Sequence, residues 1–190
     1  AAVSEPAVVF EKVEPVSISE PAPGRYVFDM GQNFAGVVKL RISGKRGQAV
    51  KLRHAERLNE DGTIYTANLR SADAEDTYIC KGGGKEIWHP SFTFHGFQYL
   101  ELTGLKQKPS LSDVTGLALS SDMPETGNFE CSNPMVNKIA ENAEWTMRMN
   151  FIDIPTDCPQ RDERLGWTGD AQVYVNTAAY QNDIHAFFIK

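Results

Sequence analysis

Between Tyr26 and Leu119, apolar and polar residues alternate in short runs broken by turn signals, with no 3.6-residue pattern between them. Val37–Ile42 and Ala49–Ala55 each alternate, and Gly44-Lys-Arg-Gly47 lies between them. Asn59-Glu-Asp-Gly62 is the next turn signal. Asp76–Cys80 then leads through Gly82-Gly-Gly84 into Glu86–Trp88, a hairpin pattern. Phe97–Leu102 and Val114–Leu119 complete the set. Successive strands with no helix between them cannot form a parallel sheet, which needs crossover connections. The pattern predicts a mainly β, antiparallel sandwich of the jelly-roll kind over residues 25–120.

The flanks read differently. Residues 1–24 contain Pro6, Pro15, Pro21 and Pro23 and predict an extended lead-in with one strand around Val8–Val13. Residues 121–132 form a polar connector with Pro124 and Gly127. Asn133-Pro134 then opens a helix, Asn as cap and Pro at the first helical position. Met135, Val136, Ile139, Ala143, Thr146 and Met147 share one face, predicting a helix to about Asn150. A second helix is expected from Gly169 or Asp170, with Ala171, Val175 and Ala178 inward, and Asn182-Asp183 caps a third. So few helices bury too little surface for an independent all-α core, which predicts association or disorder near residues 150–190.

Composition narrows the function. The chain has 190 residues and a formal net charge of -6, with no basic stripe to neutralise phosphates, which argues against nucleic acid. No apolar run approaches the ~20 residues that span a bilayer, and no export signal is visible at the first residues. Cys80, Cys131 and Cys158 form neither a disulfide framework nor a metal spacing, and four scattered histidines add no metal motif. No cofactor or metal is expected. Oligomeric state and cellular location are not legible.

Chemistry concentrates in Ile154–Asp170. This segment holds Asp157, Asp162, Glu163 and Asp170, Arg161 and Arg164, and Trp167, punctuated by Pro155, Pro159, Gly166 and Gly169. It reads as a loop with a fixed path. From spacing alone, such mixed charge reads slightly more readily as a solvated surface, each exposed pair worth ~0–1 kcal/mol. The same residues suit a sugar: carboxylates accept from hydroxyls, Arg offers a planar fork, and Trp stacks on an apolar ring face.

The run Asp157-Cys-Pro-Gln-Arg-Asp-Glu-Arg-Leu-Gly-Trp-Thr-Gly-Asp170 resembles the acidic signature of the bacterial α-L-rhamnosidases, inverting glycoside hydrolases of family 78. Phe28–Gly36, His54-Ala-Glu56, Asp61-Gly62 and Phe92–Tyr99 resemble segments of the concanavalin-like domain that precedes the catalytic barrel in that family. The aromatics at 92–99 read more readily as core than as a glycan platform. Asp29, Gln32 and Asn33 fit a ligand contact or a polar turn equally well.

The resemblance implies a fold: a concanavalin-like sandwich followed, over residues 133–190, by the first two to three helices of a truncated (α/α)6 barrel. It also implies an activity, hydrolysis of terminal α-L-rhamnose with inversion. Glu163 maps to the general acid, and Asp157, Arg161, Trp167 and Asp170 map to positions that hold the sugar. Asp162 is expected to pair with Arg164 rather than to act in catalysis. The general base of the family lies late in the barrel, beyond residue 190, so these residues alone are expected not to turn over. Two other readings stand beside this one: a non-catalytic glycan-binding or structural sandwich, and an (α/α)6 hydrolase or lyase of different sugar specificity.

Overall fold

The computed structural model of the chain describes residues 5–189. They divide into two compact units, one formed by Glu11–Ala118 with Pro159–Asp162 and the other by the remaining segments. Ten strands come first: β1 (Ala7–Val13), β2 (Ser17–Ala22), β3 (Arg25–Ser43), β4 (Ala49–Ala55), β5 (Arg57–Leu58), β6 (Ile64–Tyr65), β7 (Glu75–Ile79), β8 (Lys85–Trp88), β9 (His95–Thr103) and β10 (Val114–Ser121). Eight of them form one curled antiparallel sheet in the order β1-β10-β3-β9-β4-β7, with β2 and β8 also on β3. β5 and β6 make a separate ribbon around the Asn59–Gly62 turn. The protein is thus mainly β and antiparallel, as the alternation predicts. The expected lead-in carries two strands of this sheet, β1 and β2. Prolines obscured the second one, because a strand with Pro21 in it does not read as a strand.

β3 is nineteen residues long and pairs with β2, β8, β9 and β10. A single strand can serve so many neighbours because it is broken by a bulge. From Asp29 to Phe34 it takes five residue steps, while β9 takes two, from Tyr99 to Phe97. Gly31 adopts φ 71° inside the bulge, a conformation that disfavours a side chain. The core is apolar and aromatic: Phe28, Phe34, Leu40, Leu52, Phe97, Leu100 and Leu102 are fully buried. Burying side chains of this size stabilises the fold by about 1.5–3 kcal/mol each. Phe34 and Phe97 pack with ring centroids 4.5 Å apart. The aromatic cluster at 92–99 is split, with Phe97 in the core, Tyr99 on its margin and Phe92 fully exposed.

Two acids are buried in this unit, each with its partners in place. Glu101 accepts from Arg25 Nη1 at 3.2 Å and from Arg53 Nη1 at 3.2 Å. Glu86 accepts from the Tyr78 hydroxyl at 2.6 Å and from the backbone N–H groups of Lys81 and Gly82 at 2.9 and 3.0 Å. These bonds favour the carboxylate: the Tyr78 bond chiefly holds Glu86 below its ordinary range, and Glu86 pushes the Tyr78 phenol up to about 12.

The other unit is built on α1 (Pro134–Asn150), β11 (Phe151–Ile152), β12 (Ile154–Pro155), α2 (Thr168–Gln181) and α3 (His185–Ile189). Asn133 caps α1 by accepting from Met135 N at 3.0 Å, with Pro134 at the first helical position. Asp183 Oδ1 accepts from His185 N at 3.1 Å at the start of α3. Met123, Met147, Phe151, Ala178, Ile184 and Phe187 form the core, with Phe151 and Phe187 stacked at 4.7 Å. The connector folds onto the end of α2. Thr126 N and Gly127 N donate to Gln181 O at 2.9 and 3.1 Å, and Asn182 Nδ2 donates to Met123 O at 3.1 Å.

The apolar face expected along α1 is only partly used. Met147 is buried, whereas Met135 is 73% and Ile139 63% exposed. Among the described residues the core of this unit gathers around the last turns of α1, so the spacing that made the helix amphipathic outruns the surface that covers it.

Replacing Glu101 with Ala should lower stability by about 2 kcal/mol, because Arg25 and Arg53 are exposed enough to rehydrate while the buried hydrogen bonds are lost. Urea denaturation at neutral pH measures this, and a change below about 0.5 kcal/mol would show the pairing to be neutral.

Candidate active site

The Ile154–Asp170 segment runs from β12 to the first turn of α2, and residues 156–167 form the loop between them, held at its base. Thr156 and Gly166 form an antiparallel bridge, and Trp167 N donates to Pro155 O at 3.0 Å. Thr156 also donates to Asn150 O through its backbone N–H at 2.9 Å and its hydroxyl at 3.0 Å, which ties the loop to the end of α1. Trp167 is the N-cap residue of α2, and Asp170 lies in the first turn, where the helix dipole favours a negative charge. Within the loop, Arg164 adopts φ 40°. For side chains other than Gly this left-handed region costs roughly 1–2 kcal/mol, so the path of the loop is imposed by its anchors.

Three of the sequence-predicted residues come together here. Asp157, Trp167 and Asp170 line a cleft of about 250 Å³, with Thr146, Asn150 and Tyr174 on its walls. Tyr174 donates its hydroxyl to Ala143 O at 3.0 Å, and burial, then the Glu144 charge, push its phenol up. Trp167 is 42% exposed, which leaves part of its indole open to a ligand. Glu163 joins Asp157 through Cys158: their donor atoms lie within 4.8 Å of one another, and the Cys158 thiol donates to Asp157 Oδ1 at 3.3 Å. Burial pulls Arg164 below its ordinary value, with Cys158 opposing the shift.

Pro159–Asp162, the tip of the loop, counts with the sandwich unit. Pro159 and Gln160 pack on Gly96 of β9, where an added Cβ would lie 2.7 Å from Pro159 Cγ and 3.0 Å from Gln160 N. Arg161 is partly buried there. Asp162 accepts from the Ser71 hydroxyl, a bond that holds its carboxyl below the ordinary range, with the Arg70 charge adding to the effect. Asp162 therefore has a structural partner in Ser71, which the expected pairing with Arg164 did not include.

Sequence reasoning missed a second cluster. His54, Asp76 and His95 place their donor atoms within 4.8 Å of one another. His95 Nε2 lies 3.1 Å from Asp76 Oδ2, and His54 Nδ1 lies 2.9 Å from Ala74 O. The two imidazoles stack at 4.1 Å with planes 15° apart. Two near-parallel rings cannot both direct an in-plane lone pair at one cation unless one of them turns, so the arrangement fits a hydrogen-bonded fastener of β4, β7 and β9 better than a metal site. Burial raises the Asp76 carboxyl, but the His95 hydrogen bond and the charges of His95 and His54 outweigh it and leave it below its ordinary value of 3.8. His54 stood in a predicted strand and both histidines lay in segments that resemble the family, but nothing in the sequence brought them together with Asp76.

The sandwich motifs likewise meet one another. Asn33 Nδ2 and Asn68 Nδ2 both donate to Glu56, each at 3.0 Å, and Asp29 Oδ1 accepts from Gly31 N at 2.7 Å and from Gln98 Nε2 at 3.0 Å. Of the two readings for Asp29 and Asn33, these bonds supply the structural one.

The described residues thus form a curled antiparallel sheet followed by helices that carry an acidic, indole-flanked loop. Two family models match the chain: the bacterial α-L-rhamnosidase concanavalin-like domain over residues 19–120, and the bacterial α-L-rhamnosidase six-hairpin glycosidase domain over residues 124–190. The chain belongs to the bacterial α-L-rhamnosidases, glycoside hydrolase family 78. It is 52% identical to an α-L-rhamnosidase of Streptomyces avermitilis, over the whole of this chain and 18% of that protein. An α-L-rhamnosidase of Formosa agariphila is 47% identical over 85% of this chain and 18% of its own length. The crystal structure of the Streptomyces avermitilis enzyme complexed with L-rhamnose superposes with a TM-score of 0.95 at 51% identity, covering 100% of this chain and 18% of that one. The Dictyoglomus thermophilum α-L-rhamnosidase structure gives a TM-score of 0.94 at 41% identity, over 97% and 21%. The chain thus spans about a fifth of the length of the relatives it matches.

Two variants test this geometry. Gly96→Ala should press on the Pro159 ring and the Gln160 backbone and destabilise the protein by about 1–3 kcal/mol; an unchanged melting temperature would mean that the loop tip gives way freely. Because the carboxyl of Asp76 is depressed in the folded state, its contribution is present above its unfolded value of 3.8 and is lost as pH falls through the lower folded value. The stability gap between the parent and Asp76→Asn, followed by denaturation at stepped pH, should narrow below about pH 4. A gap that stays constant down to the acid limit would remove Asp76 from the titration.

Proposed function

We propose that this chain carries the general acid and part of the sugar subsite of an inverting α-L-rhamnosidase. The observation that carries the reading is the meeting of Asp157 and Glu163 on a loop closed at its base beside the cleft lined by Trp167 and Asp170. Membership in the family and the names of its relatives support the substrate class, a glycoside or polysaccharide with terminal L-rhamnose.

Glu163 donates its proton to the glycosidic oxygen as the bond to the anomeric carbon breaks. Asp157 and Asp170 accept from ring hydroxyls, and Trp167 packs along the apolar side of the deoxysugar. Arg161 is assigned to the same sugar on its motif position. Inversion needs a second carboxylate, ~6.5–9.5 Å from the first, to take a proton from the water that attacks the opposite face. In this reading that base is supplied from outside these 190 residues, and the chain alone does not turn over. The division into a sandwich over 25–120, a connector over 121–132 and a catalytic portion from residue 133 belongs to the same proposal; the family matches over 19–120 and 124–190 support it.

Hydrolysis of an aryl α-L-rhamnoside tests the whole reading, with the chain alone and with a protein extended through the remaining barrel. Only the extended form should be active, and Glu163→Gln should lower its rate by about 10²–10⁴. Proton NMR of the first product should show the β anomer. Turnover by the chain alone, an α anomer, or full activity in the Gln variant would each overturn a stated part. Rhamnose binding without hydrolysis in either form would favour a glycan-binding module.

A further inference from the structure

A second concavity lies on the sandwich unit and shares no residue with the 154–170 loop. This cleft, about 500 Å³, is lined from β3, the 44–48 turn, β8 and the 105–113 segment, and it carries Arg41, Lys45, Lys85, Lys106 and Lys108 against one carboxylate, Asp113. That carboxylate is already engaged, because Asp113 Oδ2 accepts from Ser110 N at 2.8 Å and from Ser110 Oγ at 2.9 Å. Arg41, the half-buried cation of the set, is fixed by two neutral oxygens: its Nη1 donates to Ser112 O at 3.0 Å and to Thr115 Oγ1 at 2.9 Å. The same threonine hydroxyl donates to Glu14 at 3.3 Å.

Among the described residues, none of these five cations has a carboxylate oxygen within 4.0 Å. Elsewhere on the unit, Arg25 and Arg53 share Glu101 and Lys51 takes Glu75 at 2.6 Å. In a chain of net charge -6, five unpaired cations around one cleft form a local field of the opposite sign. The pairing of Ser43 with Lys85 and of Arg41 with Ile87 puts Arg41, Lys85 and the exposed Ile87 on one face of the sheet. Cations beside an exposed apolar side chain suit a ligand that is charged at one group and has an apolar ring face.

We propose that this cleft binds an anionic saccharide, through a uronate carboxylate or a sulfate ester. The anion site follows from the cations themselves. The choice of a saccharide as carrier rests on the glycosidase reading above. Arg41 supplies a preoriented fork for the anionic group, and Lys45, Lys85, Lys106 and Lys108 supply adjustable point charges around it.

Titration calorimetry on the full chain tests this with four probes: an oligogalacturonide, its carboxyl-reduced neutral analogue, a sulfated oligosaccharide and inorganic phosphate. At least one charged oligosaccharide should bind, and the neutral analogue should not. The affinity should fall severalfold between about 50 mM and 200 mM salt. Which charged probe binds tighter decides between carboxylate and sulfate. The double variant Lys85→Glu/Lys106→Glu should bind at least about tenfold more weakly, while Lys12→Glu, an exposed change elsewhere, should not alter binding and circular dichroism should show both variants folded. Rhamnose affinity, measured on the same samples, should be equal in parent and double variant, so that a failure of the rhamnose site is read separately from a failure of this cleft. Equal binding of the neutral analogue, parent-like binding by the double variant, or no binding of either charged oligosaccharide at low salt would overturn the proposal. Phosphate binding as tightly as the oligosaccharides would overturn the choice of ligand.

Discussion

The bulge in β3 is the constraint on which the sandwich depends. A strand of nineteen residues that pairs with four others cannot keep one register throughout, because the right-handed twist carries its ends apart. The extra residues between Asp29 and Phe34 release that strain and re-aim the strand. They also take backbone groups out of the ladder, and side chains nearby bond to them and to one another. Asp29 takes Gly31 N and Gln98, and Asn33 takes Glu56, which in turn takes Asn68. The segments that look most like functional motifs in the sandwich are, in the fold, bonded to one another, and Asp29 also satisfies the backbone N–H of Gly31 inside the bulge.

Local pattern was the legible part of the chain. β4 spans Ala49–Ala55, the run whose alternation is cleanest, and α1 begins at Pro134 because Asn133 and Pro134 both favour a helix start. Both signals act within a few residues and owe little to tertiary context. What stayed hidden is set by distance along the chain. The ring stack of His54 and His95 and their shared Asp76 depend on the packing of three strands, and each residue alone is an ordinary strand position. The spacing along α1 showed which residues share a face; that Met135 and Ile139 on that face stay exposed is set by what packs against the helix. In the candidate site, Asp157, Glu163, Trp167 and Asp170 were readable because a loop holds them within fourteen residues. The walls from Thr146, Asn150 and Tyr174 were not, since they converge only when α1 and α2 pack.

The loop illustrates how a short segment of dense charge can hold a defined path. Its base is closed by the Thr156–Gly166 bridge and by Trp167 N on Pro155 O, and its tip is seated on Gly96 and Ser71. Arg164, just inside the closed base, sits in a left-handed conformation. Strain of about 1–3 kcal/mol persists only where surrounding contacts over-determine it. That is the condition under which two carboxylates can be kept near one thiol without drifting into separate hydration shells.

Net charge is a poor guide to what such a fold can bind, and the two concavities show why. A value of -6 averages a carboxylate-rich loop with a cleft of five cations drawn from positions 41, 45, 85, 106 and 108. No window of the sequence contains that cleft as a basic stripe, because β3, the turn after it, β8 and the segment after β9 bring it together. At a physiological ionic strength the field of an exposed charge fades within about 8 Å, so neither region feels the net charge and each behaves according to its own neighbours. Composition therefore argues against a long basic surface of the kind that tracks a nucleic-acid backbone, but it carries no information about a pocket only a few residues wide.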